Sequence, residues 1–161
     1  MKKKDKKQQI KIFLIIIWMI TIFYFSHQKG IESSFTSRKV TIFIIKILTG
    51  KTIAIDDPFI IGIQLFVRKL AHFSIYATGG ILIMNYTYGT DKTVRQKILY
   101  SICFGVIYAI TDEIHQFFIP RRNGNIVDVV IDTLGVTFGV ILGYIVLKKV
   151  ESQSCLRGKQ K

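Results

Sequence analysis

Cysteine, proline and acidic residues are all scarce in this chain of 161 residues. The two cysteines, Cys103 and Cys155, are too few for a disulfide framework; one lies in an apolar stretch and the other in a basic tail. Two prolines beside 12 glycines exclude a collagen-like or proline-rich chain. Aromatic residues make up 12% and Ser/Gln/Glu runs are few, which excludes a disordered polymer. The length excludes a two-domain enzyme. Asp and Glu number only 10 against 23 Lys and Arg, for a formal net charge of +13. A charge of this size suits nucleic acid when it covers one polar face. Here the cations stand at the ends of apolar stretches instead, with no zinc-finger spacing and no long basic amphipathic helix. Nucleic acid is therefore not an expected partner.

What the chain has is long apolar stretches. Four of them, Ile10–Ser26, Leu70–Tyr88, Ile98–Ile119 and Ile126–Leu147, have the length a helix needs to cross a hydrocarbon core about 30 Å thick. The predicted fold is all-α: a polytopic membrane protein of four transmembrane helices. A basic segment, 1–9, precedes the first span and a basic tail, Lys148–Lys161, follows the last. Lys2, Lys3, Lys4, Lys6 and Lys7 resemble the head of a signal peptide. The SHQKG that follows the first span offers no small-x-small cleavage site, so an uncleaved span is expected. Six lysines in Met1–Lys11, three cations in Asp91–Lys97 and five in Lys148–Lys161 fall on one side; seven in the long His27–Lys69 segment and two in Pro120–Asn125 fall on the other. That density places both termini in the cytoplasm. Trp18, Tyr24, Tyr86, Tyr88 and Tyr144 are candidates for interfacial anchors.

Between the first two spans, Val40–Leu48 is apolar but too short to cross and carries Lys46. Asp57-Pro58 is a sound helix start, with Asp as N-cap and Pro in the first turn. The segment 35–67 reads either as an interfacial or re-entrant pair of helices or as an ordinary amphipathic surface loop. The helix from Phe59 either lies on the outer surface or leads straight into the second span. Farther on, Pro120 ends a helix and Asn123-Gly124-Asn125 makes a turn, giving a tight helical hairpin. Gly135, Gly139 and Gly143, at i, i+4 and i+8, form a groove for a neighbouring helix; Gly105 and Ala109 make a smaller one.

Ionisable residues inside apolar helices cost about 2.5–3.5 kcal/mol each at the bilayer centre on insertion scales. This chain carries His72 in the second span, Asp112, Glu113 and His115 in the third, and Asp128 and Asp132 in the fourth. Glu113 stands seven residues before Pro120, about 10 Å below the turn, and Asp132 lies at a similar depth after Asn125. The orientation brings all of them, with Lys69, into one layer in the outer half of the membrane. The spacings 72/76, 112/116 and 128/132 turn them to the packing side. Two readings compete. Arg68, Lys69, Arg121 and Arg122 can pair with Asp112, Glu113, Asp128 and Asp132 to hold the bundle. Alternatively the layer is a polar pocket open to the outside. Buried pairs contribute little net stability, which favours the pocket.

No metal or other cofactor is expected: there is no H-E-x-x-H, and D-E-x-H-Q is not a specific zinc pattern. Glu113 with His72 is chemically able to act as an acid–base pair, but no Ser or Cys stands in a nucleophile context. A binding site fits better. Lys69, His72 and Arg122 suit a phosphate or carboxylate, and Glu113 and Asp128 an amine or amide. Membrane lipids, a lipid-linked cell-wall precursor or an amphiphilic antibiotic are ligands of this kind.

The blocks R-K-L-A-H-F-S-I-Y-A-T-G-G and D-E-I-H-Q-F-F-I-P-R-R-N-G-N-I-V-D-V-V-I-D-T-L-G-V-T-F-G resemble the VanZ-like family of small bacterial integral membrane proteins, over about Arg68–Tyr144. Glu113 and Gln116 fall on its E-x-x-Q, Pro120 and Arg122 on its P-x-R, and Asp128 and Gly135 on its D and G. Lys69 and His72 match its K-x-x-H, and Tyr76 the tyrosine after it. Asp132 stands where many members have Asn, and Arg121 where a Gly is common. The resemblance implies a cell-envelope protein linked to glycopeptide (teicoplanin) resistance and supplies no reaction. The ligand-binding set it shares with the polar layer is Lys69, His72, Tyr76, Glu113, Gln116, Arg122, Asp128 and Asp132. The leading function is thus an outward-facing pocket for a lipid-linked or amphiphilic ligand. The alternatives are a membrane-embedded enzyme acting on an envelope lipid through His72, Glu113 and Asp128, or a small subunit that uses the layer as an interface. Transport by a single chain is not expected, because four spans lack inverted repeats.

Overall fold

A computed structural model describes residues 2–122 and 124–158. Among these residues every regular element is an α-helix, in the order α1 (Lys2–Ser26), α2 (Gly30–Thr49), α3 (Pro58–Tyr88), α4 (Val94–Phe117) and α5 (Ile126–Gly158). Four of them, α1, α3, α4 and α5, are long and apolar enough to cross a membrane. Their exposed large side chains are the hydrocarbon ones, such as Phe13, Ile20, Phe66, Ile107, Leu134 and Ile145, as a lipid-facing surface requires.

The helices outrun the apolar stretches that predicted them. α1 starts within the basic segment, since Lys and Gln are good helix formers and carry it on without a break. α3 is 31 residues long, about 46 Å at 1.5 Å per residue. It starts where the sequence indicated: Asp57 Oδ1 accepts the Phe59 N–H at 2.9 Å, and Pro58 is the first helical residue. From there it runs without interruption into the second span, which decides between the two courses open to it. α4 begins on a capping box of Thr93 and Gln96 and ends at Phe117, two residues short of Ile119. The following turn places Arg121 at φ 60°. Asn125 then caps α5, its Oδ1 accepting the Val127 N–H at 3.0 Å. Asn123, part of the expected turn, lies outside the described residues.

Within the 35–67 segment the residues up to Thr49 and from Pro58 onward are helical, and 50–57 is a non-helical link between them. α2 runs 20 residues to Gly50, whose φ of 71° ends it in the left-handed conformation that glycine adopts freely. Polar contacts tie it to the start of α3. Arg38 Nε donates to Gln64 Oε1 at 3.1 Å, and Gln64 Nε2 to the Ser34 carbonyl at 3.2 Å. Its first residue is wedged against the α4–α5 turn. A Cβ on Gly30 would overlap the Arg121 carbonyl oxygen, and the Gly30 N–H donates to the Pro120 carbonyl at 3.3 Å.

The core is built on α3 packed against α5, with α4 and α1 around them. The glycine groove is where it was expected, and α3 fills it. A Cβ on Gly135 would meet the Phe73 carbonyl at 2.5 Å, and one on Gly139 would overlap the Ala77 carbonyl oxygen. From the other side, a Cβ on Gly80 would collide with the Val136 carbonyl. Gly105 of α4 accepts the side chain of Val136. One expectation fails. Trp18 is not an interfacial anchor but a core residue, 4% exposed. Gly79 leaves the slot that receives its ring, Nε1 donates to the Ile75 carbonyl at 2.8 Å, and Tyr76 and Tyr108 pack on it. With its N–H satisfied inside the bundle, the indole has no need of the membrane interface.

Candidate functional site

Three helices deliver polar side chains to one end of the bundle. Asp112, Glu113 and Gln116 come from the last turns of α4, Asp132 from the second turn of α5, and Lys69, His72 and Tyr76 from the middle of α3. All three α4 residues and Asp132 are buried, as is Tyr76. One carboxylate oxygen from each of Asp112, Glu113 and Asp132 lies within 4.8 Å of the others. Gln116 Nε2 donates to Asp112 Oδ2 at 2.8 Å and approaches Ser26 Oγ at 3.5 Å, so the i, i+4 pair on α4 holds Asp112 from one side. Glu113 Oε2 accepts the Asn125 N–H at 2.8 Å and ties the end of α4 to the cap of α5. The His72 ring stands 3.5 Å, Nδ1 to Oδ1, from Asp132, an ion pair when the imidazole is protonated. Tyr76 OH, Glu113 Oε1 and both oxygens of Asp132 have no hydrogen-bond partner among the described residues.

Above this floor is a basic rim. Lys69 Nζ is 3.6 Å from Asp128 Oδ1, and both side chains are partly exposed. Arg122 Nη2 donates to the Phe25 carbonyl at 2.9 Å and to Ser33 Oγ at 3.0 Å, bridging α1, α2 and the α4–α5 turn. Burial, with Arg68 nearby, pulls the Arg122 guanidinium below its ordinary pKa, while Asp112 and Glu113 pull the other way. A guanidinium stays charged through such shifts.

Two cavities open on this layer. One, of about 250 Å³, runs between α1, α2 and α3; its walls are mostly apolar, among them Ile22, Phe25, Val40, Val67 and Ile75. The other, of about 370 Å³, is lined by Arg68, Lys69, Arg121, Arg122, Asn125 and Asp128, among others. Arg68, His72 and Arg122 line both.

The eight residues singled out in the sequence thus meet in one region but do not play one geometric part. Lys69, His72, Tyr76, Arg122 and Asp128 line the cavities. Glu113, Gln116 and Asp132 lie behind them, in contact with lining residues or with Asp112. Among the described residues the close oppositely charged contacts are Lys69–Asp128 and, when the imidazole is protonated, His72–Asp132; Arg122 interacts with Asp112 and Glu113 without a direct ion pair. His115, grouped with the layer by sequence, turns away from it. Its ring stacks on Phe23 and His27 of the α1 exit, with Nε2 3.4 Å from His27 Nδ1. Arg68, read from the sequence only as a cation able to pair with the layer, lines both cavities; the contributors missed were the Asn125 backbone and the wall made by α2. The last had a signal. Ser33, Thr36, Ser37 and Val40 sit at i, i+3, i+4 and i+7, one helical face, and all four line the apolar cavity.

Chemically the arrangement offers fixed cations at a mouth, an apolar slot beside it and a carboxylate floor beneath. This is a small multi-pass helical membrane protein with a charged layer between its spans. A family model described as VanZ/LLP1 matches residues 11–147, and the chain belongs to that family. No curated protein and no solved structure matches it.

Proposed function

We propose that the protein binds an amphiphile with an anionic headgroup, the head in the basic cavity and the chain in the apolar one. The observation that carries this reading is the pair of adjoining cavities, one basic and one apolar, with Arg68, His72 and Arg122 on the boundary. A phosphate held there meets charge-assisted donors in a partly dehydrated setting, where such bonds are strongest. Asp128, already beside Lys69, supplies an acceptor for an amine on a zwitterionic head. With family membership, this supports a cell-envelope role in the bacterial cytoplasmic membrane, with both termini cytoplasmic and the layer facing outward. The phosphate end and the first isoprene units of a lipid-linked cell-wall precursor are a ligand of this class, and lowered teicoplanin sensitivity is the phenotype to look for if such a precursor is bound.

The test is binding of a polyprenyl phosphate to the purified protein in non-ionic detergent, read by native mass spectrometry. Loss of one charge-assisted hydrogen bond, about 1.5–3 kcal/mol, corresponds to about 10- to 100-fold weaker binding. Arg122→Gln is expected to show it. Arg68→Gln, which breaks no hydrogen bond recorded in the structure, is expected to weaken binding without loss of folded yield. Equal binding by wild type and both variants would reject the headgroup site. The same assay follows the lipid's phosphate: release of inorganic phosphate would move the assignment from binding to catalysis, with the His72–Asp132 pair as its first candidate.

A further inference from the structure

The basic cavity carries its cations in two tiers. Arg68, His72 and Arg122 stand on the boundary with the apolar cavity, whereas Lys69 and Arg121 line the basic cavity alone. A head with a single phosphate, seated where its chain enters the apolar slot, meets the boundary tier. The outer tier is then left without a partner.

The protein's own carboxylates do not use up these charges. Asp128 lines the basic cavity, and it stands 3.6 Å from Lys69. Asp112 and Glu113 act on Arg122 without a direct ion pair. Arg68 and Arg121 have no carboxylate within ion-pair distance among the described residues. Arg68 is also close enough to Arg122 for the two charges to oppose one another. Cations gathered at a cavity focus a positive potential on it, and an anion that enters relieves their repulsion. A separate observation points the same way. Arg122 Nε is buried and has no hydrogen-bond partner among the described residues, although Nη2 is satisfied by Phe25 and Ser33. A buried donor left in this state costs free energy until an acceptor arrives.

We infer that the headgroup is a diphosphate, with the phosphate nearer the chain on Arg68 and Arg122 and the terminal one on Lys69 and Arg121. This rests on the headgroup reading above and narrows it. A phosphomonoester carries about −1.5 to −2 at pH 7, and a diphosphate roughly one negative charge more. Its two sets of acceptor oxygens let guanidinium forks of both tiers bind at once. Lys69 is shared with Asp128, so Arg121 is the residue that reads the second phosphate.

Farnesyl phosphate and farnesyl diphosphate differ only in that second phosphate. Each is titrated against the full chain in non-ionic detergent and magnesium-free ammonium acetate, and binding is read by native mass spectrometry. The diphosphate is expected to bind about tenfold more tightly or better, the worth of one further charge-assisted hydrogen bond. Arg121→Gln is expected to remove most of that preference, and Arg68→Gln to weaken both ligands while keeping it. Lys148→Gln, at the opposite end of α5, removes an equal charge and is expected to keep the wild-type preference. Binding of both lipids with equal affinity would overturn the diphosphate assignment and leave the headgroup reading standing. Binding of neither would overturn both. Inorganic pyrophosphate bound as tightly as the lipid diphosphate would overturn the assignment to an amphiphile, since the site would then serve a soluble anion. A preference unchanged in Arg121→Gln, or lost in Lys148→Gln, would overturn the two-tier recognition. Should a variant fail to fold, the wild-type ratio of the two lipids decides.

Discussion

Arg121 occupies a backbone conformation, φ 60°, that costs a residue with a Cβ about 1–2 kcal/mol. Arg121→Gly is therefore expected to raise the melting temperature while removing one cation from the basic cavity. A variant that melts lower would mean that the side chain contributes more than the backbone loses. An arginine in the left-handed region is not legible from the sequence, because it is set by a dihedral angle of the turn. Glu113 illustrates the reverse. Its cost in hydrocarbon makes it legible from the sequence, and its spacing predicts the layer. Its bond to the Asn125 N–H is a property of the turn and is not legible. Glu113→Gln can still accept that N–H through its amide oxygen. The variant is expected to extract in normal yield and melt within about 1 kcal/mol of wild type, a typical cost for a point substitution, because its contact with the start of α5 is kept. Cumulative loss of folded protein would instead mark Glu113 as a structural strut.

Helix packing yields sharper contrasts. Gly139 lies against the α3 backbone at a distance no Cβ tolerates, so Gly139→Leu must push α3 and α5 apart. The expected penalty is at least the 1–3 kcal/mol or so of ordinary overpacking, read as lower detergent-extracted yield and melting temperature. Gly62, on the exposed side of the first turns of α3, has nothing within 4 Å of where its Cβ would be. Gly62→Ala is expected to stabilise α3 by about 0.5–1 kcal/mol, by removing backbone freedom from the unfolded chain. If the two substitutions behave alike in a thermal melt, the packing described for Gly139 is wrong. The groove was readable because glycines at i, i+4 and i+8 in an apolar helix seldom serve anything but close helix packing. α2 was readable only as one of two alternatives, because its apolar run is shorter than a span and carries Lys46; the partners that hold it, such as Gln64, cannot be paired with it from sequence spacing. Trp18 misled for a similar reason. An aromatic near a membrane surface and one slotted over a glycine look alike until the glycine on the other helix is known.

For the molecule as a whole, the basic termini of α1 and α5 predict a cytoplasmic location for both. Cys155 is exposed, and in sealed cells it should resist a membrane-impermeant thiol reagent that labels a cysteine placed at position 124. Labelling of Cys155 from outside would invert the topology and turn the charged layer toward the cytoplasm. The architecture also has a consequence for biosynthesis. α3 makes its main contacts with α5, which the ribosome completes only after α4 and the intervening turn. At about 5–20 residues per second, the stretch from Tyr88 to the end of α5 takes several seconds to emerge. Through that interval α3 holds Lys69, His72 and Tyr76 in or beside lipid, without Asp128 or Asp132 to face them. Shelter of that face by an insertion chaperone or by the translocon itself is the expectation until the last helix arrives. A nascent chain ending at residue 125 is accordingly expected to remain crosslinkable to the insertion machinery, or to be destroyed by membrane proteases, while the chain extended through Leu147 is released as a stable bundle.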